Sequence, residues 1–239
     1  MTTHPPPDAP TLPGRVVFDQ RWCDLAFLHW PVEPREVEQF MPRGVRVDVW
    51  DDGLTYVGLI PFRMRRAGLG TGVPLPYLGT FLEWNVRLYS VDDAGRHGVV
   101  FRTLDATRLP VVAAANVGGV PYRWARIHAE QHDDEVTWRL RRVGRRGLTS
   151  QVRLRVGAPV EPTPLESFLV SRWGMHGSWR GRTVWVPNAH GRWPLQAAEV
   201  VTLDDQLVAA AGVRTAGPML RPLWTAGVHS RFARPQRVR

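Results

Sequence analysis

Lysine is missing. All 31 basic residues of the 239-residue chain are arginine. No side-chain amine is therefore available to form a Schiff base or to act as an amine base, and only the Met1 amine remains. Cysteine is nearly missing too. Cys23 stands alone, which excludes an internal disulfide and a multi-cysteine metal site. No apolar run reaches the ~18 residues of a membrane span. Met1–Gly14 is rich in proline and has no apolar signal core, so a disordered tail is expected there, followed by a single domain over 15–239. These absences predict a cytoplasmic protein with no membrane partner.

Several catalytic motifs are also absent. The eight histidines form no H-E-x-x-H or H-x-H pattern; His128 and His132 are four apart, but one falls in a predicted strand and the other in an acidic turn. There is no G-x-S-x-G elbow. Gly68-x-Gly70-x-Gly72 lacks the strand-to-helix setting of a phosphate loop. Cys23 and His29 share strand parity but stand ~20 Å apart by strand rise. No metal and no cofactor are predicted. The net charge of +9 raises the option of a polyanion partner, yet the arginines are scattered. Their densest group, Arg139, Arg141, Arg142, Arg145 and Arg146, reads as a solvated turn, which argues against nucleic acid.

What is present centres on Phe81–Tyr89. Aromatic and branched residues without Gly or Pro predict a β-strand. Alternation puts Glu83, Asn85, Arg87 and Tyr89 on one face and Leu82, Trp84, Val86 and Leu88 on the other. The second face is ordinary core. The first is either a wet face or a polar row inside the fold. If it is buried, Glu83 is a candidate acid or base, and Arg87 matches a carboxylate with its planar fork. Glu83 and Arg87 are expected to partly neutralise each other.

Around this strand the chain reads mainly as β. Val16–Trp30 is extended, with a short helix from Pro34 to about Phe40. Val45–Trp50 and Leu54–Arg63 are predicted to form a hairpin across Asp51-Asp52-Gly53. Arg66–Pro76 reads as a Gly/Pro-rich flap. A partner strand is expected at 98–104, then a helix from an Asp105 cap to about Asn116, kinked or started at Pro110. Strands follow at 123–131, 135–143 and 148–157. Thr163-Pro164-Leu165-Glu166 is a capping box opening a helix to about Trp173. A Trp/Gly-rich loop spans 172–181, with strands at 182–187, 196–203 and 223–232. About ten strands and a few short peripheral helices predict an α+β, mainly antiparallel fold, curled or closed into a barrel.

A set of short segments carries a resemblance: Trp22, His29-Trp30, Pro61-Phe62, Glu83-x-Asn85-Val86-Arg87-x-Tyr89, Gly98–Phe101, Pro121-Tyr122, Phe168-Leu169-x-x-Arg172 and Trp193-Pro194-Leu195. Together they resemble the YqjF-like family of uncharacterised bacterial proteins over about Val16–Phe232. That family is similar in turn to the acetoacetate decarboxylase superfamily, which implies a closed, cone-shaped β-barrel around a small hydrophobic cavity with a polar floor. In those decarboxylases the reactive lysine follows a Gly-aromatic-Pro segment and a glutamate lies on an earlier strand. Gly119-Val120-Pro121-Tyr122 resembles the segment, with Val120 for the aromatic and Tyr122 for the lysine, and Glu83 resembles the glutamate.

A tyrosine forms no imine, so lysine-dependent decarboxylation is excluded. The resemblance implies Glu83 and Tyr122 as proton-handling residues. Asn85, Arg87, Arg172, His190 and Trp193 would line the substrate site, with His29 a lesser candidate. The expected function is binding of a small anionic or carbonyl-bearing molecule, with lyase, hydratase or isomerase chemistry that needs no lysine. The alternatives are a non-catalytic ligand sensor or scaffold, homodimeric through an exposed Trp/Gly loop at Trp173–Trp185, and a polyanion binder.

Overall fold

The computed structural model describes residues 4–70, 73–144 and 147–238. Met1, Gly72, Arg145 and Arg146, which figured in the expectations above, lie outside them. Among the described residues fourteen strands run β1 (Val16–Val32), β2 (Val45–Val47), β3 (Thr55–Leu69), β4 (Val73–Pro74), β5 (Phe81–Asp92), β6 (His97–Ala106), β7 (Tyr122–His132), β8 (Glu135–Arg142), β9 (Thr149–Pro159), β10 (Gly174–Trp179), β11 (Arg182–His190), β12 (Leu195–Asp205), β13 (Leu223–Ala233) and β14 (Gln236–Arg237). The helices α1 (Pro34–Val37), α2 (Leu109–Val117), α3 (Pro164–Val170) and α4 (Leu207–Ala210) are short. No helix among the described residues is long and apolar enough to cross a membrane.

The strand pairings close two rings that share a wall. One runs β5-β6-β7-β8-β9-β12-β13-β1-β3 and back to β5. The other leaves the same wall at β6, passes through β10 and β11 and returns at β13. All pairings are antiparallel except β6–β7 and β6–β10. Because both faces of the shared wall are covered, the alternating pattern of β5 faces two interiors. Trp84, Val86 and Leu88 enter a core with Ile127, Trp138 and Leu154. Leu25, Phe27, Ile60, Phe62 and Val170 make a second core on the opposite face.

The long first strand survives because it bends. Its register with β3 shifts between Cys23 and Leu28, and Asp24 adopts a left-handed backbone beside that shift. Opposite, Gly227 of β13 approaches so closely that a Cβ there would lie 1.8 Å from the Trp22 carbonyl oxygen. Only glycine fits this crossing.

Several expectations are corrected. β2 pairs with β5 rather than β3, so 45–63 is not a hairpin. The 66–76 flap is in part strand: β3 runs on to Leu69 and pairs with β4. The Trp/Gly loop at 172–181 contains β10, whose hairpin with β11 buries Trp173 and Trp185 and exposes Trp179. The tail is docked from His4 onward, not loose. His4 stacks on Trp50 at 4.4 Å, the Trp173 indole donates to the Pro6 carbonyl at 2.9 Å, and Asp8 forks Arg192. A proline-rich segment loses little entropy on docking, so a few contacts suffice.

Asp105 does not cap α2, which starts at Leu109 with Pro110 in its first turn. It is wholly buried on β6 instead. There it takes two bonds from Arg142, at 2.6 and 2.7 Å, and one from the Thr103 hydroxyl at 3.0 Å. Arg142 thus ties the end of β8 to β6. Replacing Arg142 with leucine leaves a buried carboxylate without its counter-charge. The expected loss is about 3 kcal/mol in denaturant unfolding, largely recovered when Asp105→Asn is added.

Candidate functional site

β5 has no solvent face, so its polar row is desolvated. Glu83 is 2% exposed, Asn85 5% and Tyr89 0%, while Arg87 is half-buried. The Tyr122 hydroxyl donates to Glu83 Oε2 at 2.7 Å. Tyr122 reaches it as the first residue of β7, laid parallel to β6 opposite Leu104. The Asn116 amide at the end of α2 holds the Tyr122 carbonyl at 3.1 Å. Burial pushes the Glu83 carboxyl up to about 7, against the lowering effect of hydrogen bonds from Tyr122 and Asn85. Burial, then the adjacent carboxyl, push the Tyr122 phenol well above its ordinary value. The pair therefore holds one exchangeable proton near neutrality, on the acid.

The other side chains are organised by the carboxyl end of α3. Its capping box forms as predicted: Glu166 N–H to Thr163 Oγ1 at 3.2 Å and Thr163 N–H to Glu166 Oε2 at 2.8 Å. Arg221 grips Glu166 from outside at 2.7 and 2.9 Å. A helix end presents carbonyls that need donors. Here three consecutive ones are taken by side chains of the predicted site. Phe168 O accepts from Arg172 Nε at 2.7 Å, Leu169 O from Arg87 Nη2 at 3.1 Å and Val170 O from the Trp193 indole at 3.1 Å.

Arg87 also donates through Nε to the Tyr89 hydroxyl at 3.3 Å, which lies 2.6 Å from His29 Nε2. Burial, then Arg87 and Arg172, lower the His29 pKa well below its ordinary value. Arg172 packs 4.7 Å over the Tyr89 ring and bonds Asp48, which His97 also holds at 2.7 Å. Burial raises the Asp48 pKa, but Arg172 and His97 outweigh it and keep the carboxyl ionised. Further along, Ser90, His176 and Asp92 line up at 2.9 and 3.2 Å in a triad-like row. All three are 1% exposed or less, and Arg96 ties up Asp92, so the row is structural.

The aromatic wall comes from loops and strand ends. The His190 ring, at the end of β11, lies 4.6 Å from Trp193, 4.8 Å from Trp173 and 5.6 Å from Trp22. Trp193 packs edge-on to Phe27 at 5.2 Å, and Phe27 lies 5.5 Å under the Arg87 guanidinium. Burial lowers the His190 pKa to about 4, with Arg87 adding to the effect. His190 also lines a cavity of about 780 Å³, whose other walls include Ala9–Leu12, Arg192 and His229. Neither Glu83 nor Arg87 lines it.

Glu83, Asn85 and Tyr122 are thus in one cluster, and Arg87, His190 and Trp193 adjoin a second along the same face. Arg172 departs from its predicted role, because Asp48 and Phe168 O already engage it; its Nη2 is buried with no protein partner among the described residues. The expected mutual neutralisation of Glu83 and Arg87 does not occur. Four residues along a strand put their Cα atoms ~13 Å apart, and no ion pair joins them. Sequence reasoning missed Asp48, although one acid in the valine-rich stretch Val45-Arg46-Val47-Asp48-Val49 is a signal for a buried partner. Among the described residues no cluster of His, Cys, Asp and Glu could hold a metal ion.

The family model DUF2071, described as an uncharacterized conserved protein, matches residues 19–229. The "Uncharacterized protein YqjF" of Bacillus subtilis (strain 168) is 26% identical over 204 residues, 84% of each chain. Acetoacetate decarboxylase from Legionella pneumophila superposes with a TM-score of 0.68 at 11% identity, covering 97% of this chain and 92% of that one. An acetoacetate decarboxylase-like enzyme from Sphingomonas wittichii RW1 gives 0.64 at 14%, covering 94% of both. The enduracididine biosynthesis enzyme MppR complexed with pyruvate gives 0.64 at 12%, covering 95% and 91%. The fold is acetoacetate decarboxylase-like.

A buried acid that is neutral in the folded protein and ionised in the unfolded chain favours folding at low pH. Glu83 makes its full contribution below about pH 4.5 and loses it as the pH rises towards 7. Relative to Glu83→Gln, the wild type is expected to lose about 3 kcal/mol of stability between acid and mildly alkaline solution, read from denaturant midpoints.

Proposed function

The chain belongs to the DUF2071 family and has an acetoacetate decarboxylase-like fold, and from that premise we propose that it binds a small carboxylate bearing a carbonyl group and moves a proton on it without lysine. One observation carries this reading. A single enclosed strand face presents an acid whose pKa is about 7, bonded to a phenol, and four residues on a guanidinium with no acid partner among the described residues. A structural neighbour supports it: MppR is complexed with pyruvate in one structure and with the condensation product of pyruvate and imidazole 4-carboxaldehyde in another.

In this reading Arg87 holds the ligand carboxylate, which places the carbonyl end towards Glu83 and Tyr122. Ionised Glu83 takes a proton from the carbon beside the carbonyl. As it does so, it needs the Tyr122 hydrogen bond less, and that hydroxyl turns to the oxygen on which negative charge develops. Return of the proton to a different atom of the ligand gives isomerisation; where the ligand carries a hydroxyl beta to the carbonyl, loss of that hydroxyl with the proton as water gives elimination, and the reverse addition of water gives hydration. Tyr122 acts only as a donor, since its pKa is raised. No imine forms on a lysine side chain, because the sequence has no lysine. Tyr122 in the lysine-like position also favours a second reading, capture of the ligand without turnover.

Exchange of the carbon-bound protons of pyruvate and acetoacetate into deuterated water, followed by NMR, tests the proposal. The wild type should accelerate exchange, Glu83→Gln should lose at least about a hundredfold of that rate, and Arg87→Ala should weaken binding at least tenfold. Binding without exchange selects the second reading. Binding unchanged by Arg87→Ala removes the anchor.

A further inference from the structure

The Arg87 guanidinium is fixed by a hydrogen-bond chain whose direction is forced. Arginine only donates, so the Tyr89 oxygen accepts from Arg87 Nε at 3.3 Å. Tyr89 is wholly buried, and its own hydrogen needs an acceptor. His29 Nε2, at 2.6 Å, is the acceptor that the described residues offer. His29 is then neutral and carries its proton on Nδ1. A histidine protonated on Nε2 would leave the Tyr89 hydrogen without a partner. On its other side Arg87 donates from Nη2 to the Leu169 carbonyl at 3.1 Å. Two of its five N–H bonds are thus used. Both hydrogens of Nη1 and one of Nη2 have no protein acceptor among the described residues, and the side chain is only half-buried.

The charges around this chain do not balance. Arg87 and Arg172 are both positive, and His29 is neutral. The acid bonded to either guanidinium is Asp48, which already holds Arg172 and His97. One positive charge is left over, on a group held by two fixed contacts that leave Nη1 without a protein acceptor among the described residues.

We infer that Tyr89 and His29 are positioning and specificity residues: they preset Arg87 to receive a planar two-oxygen monoanion and to refuse the matching neutral amide. The inference rests on the proposed carboxylate-binding role of Arg87 and adds the reason for its selectivity. Without Tyr89 the guanidinium keeps its charge but loses its fixed aim. It then gains water or alternative rotamers, and the charge-assisted fork to a carboxylate weakens more than a single bond to an amide oxygen does.

The probes are pyruvate and pyruvamide, titrated by NMR into the full chain. Wild type should prefer the acid strongly. Tyr89→Phe should cut the acid-to-amide preference about tenfold, and His29→Leu should act in the same direction. Neither should add to the effect of Arg87→Ala when combined with it. A purely structural role would lower the melting temperature and leave the preference ratio unchanged. An unchanged ratio in both variants, with Arg87→Ala still damaging, overturns the positioning role alone. No pyruvate binding by wild type, or no effect of Arg87→Ala, overturns the carboxylate reading and this inference with it.

Discussion

Placing an acid, an amide and a guanidinium on a strand covered on both faces is the demand that this fold must meet. Each group loses water that only a fitted partner can replace. The partners come from distant parts of the chain: Tyr122 from the start of β7, Leu169 from the end of α3, and His29 from β1 through Tyr89. None is a neighbour in sequence. Meeting the demand therefore brings the start of β7, the helix end and the first strand to one place. What satisfies the acid and the guanidinium also builds the site, while the Asn85 Oδ1 beside them is buried with no protein partner among the described residues.

The two interiors divide the work. One face of β5 supplies apolar packing with β7, β8 and β9, which drives closure. The other accepts polar groups at a desolvation cost and gives them a fixed geometry. Because both faces belong to the same backbone, the rigidity of the packed side is passed to the polar side. Such support keeps groups in place within fractions of an ångström without side-chain reorganisation.

Much of the architecture was legible because strand parity is a strong signal. Alternation alone separated Trp84, Val86 and Leu88 from the polar row, and the capping box at Thr163–Glu166 marked a helix start that the structure contains. The segments around Glu83 and Tyr122 were matched by family resemblance, and the two side chains do meet. What stayed hidden was long-range pairing. Nothing local to Arg172 announces Asp48, and nothing local to Asp105 announces Arg142, because residues 124 and 37 positions apart meet only once the sheet has closed. Gly-rich composition also misled: Gly174 and Gly177 suggested a loop, but Gly174 is small because Trp185 lies across it, within 2.4 Å of where a Cβ would stand. A glycine demanded by close packing looks the same in sequence as one demanded by a turn.

β13 is a member of both rings, pairing with β1, β11 and β12. Neither circuit can be completed before Leu223–Ala233 has left the ribosome. Until then the edges of β1 and β12 are open, with the first strand waiting for a partner about two hundred residues behind it. Nascent chains of this protein should therefore stay sticky until β13 has emerged, and chaperone dependence in the cell should follow translation time more closely than final stability.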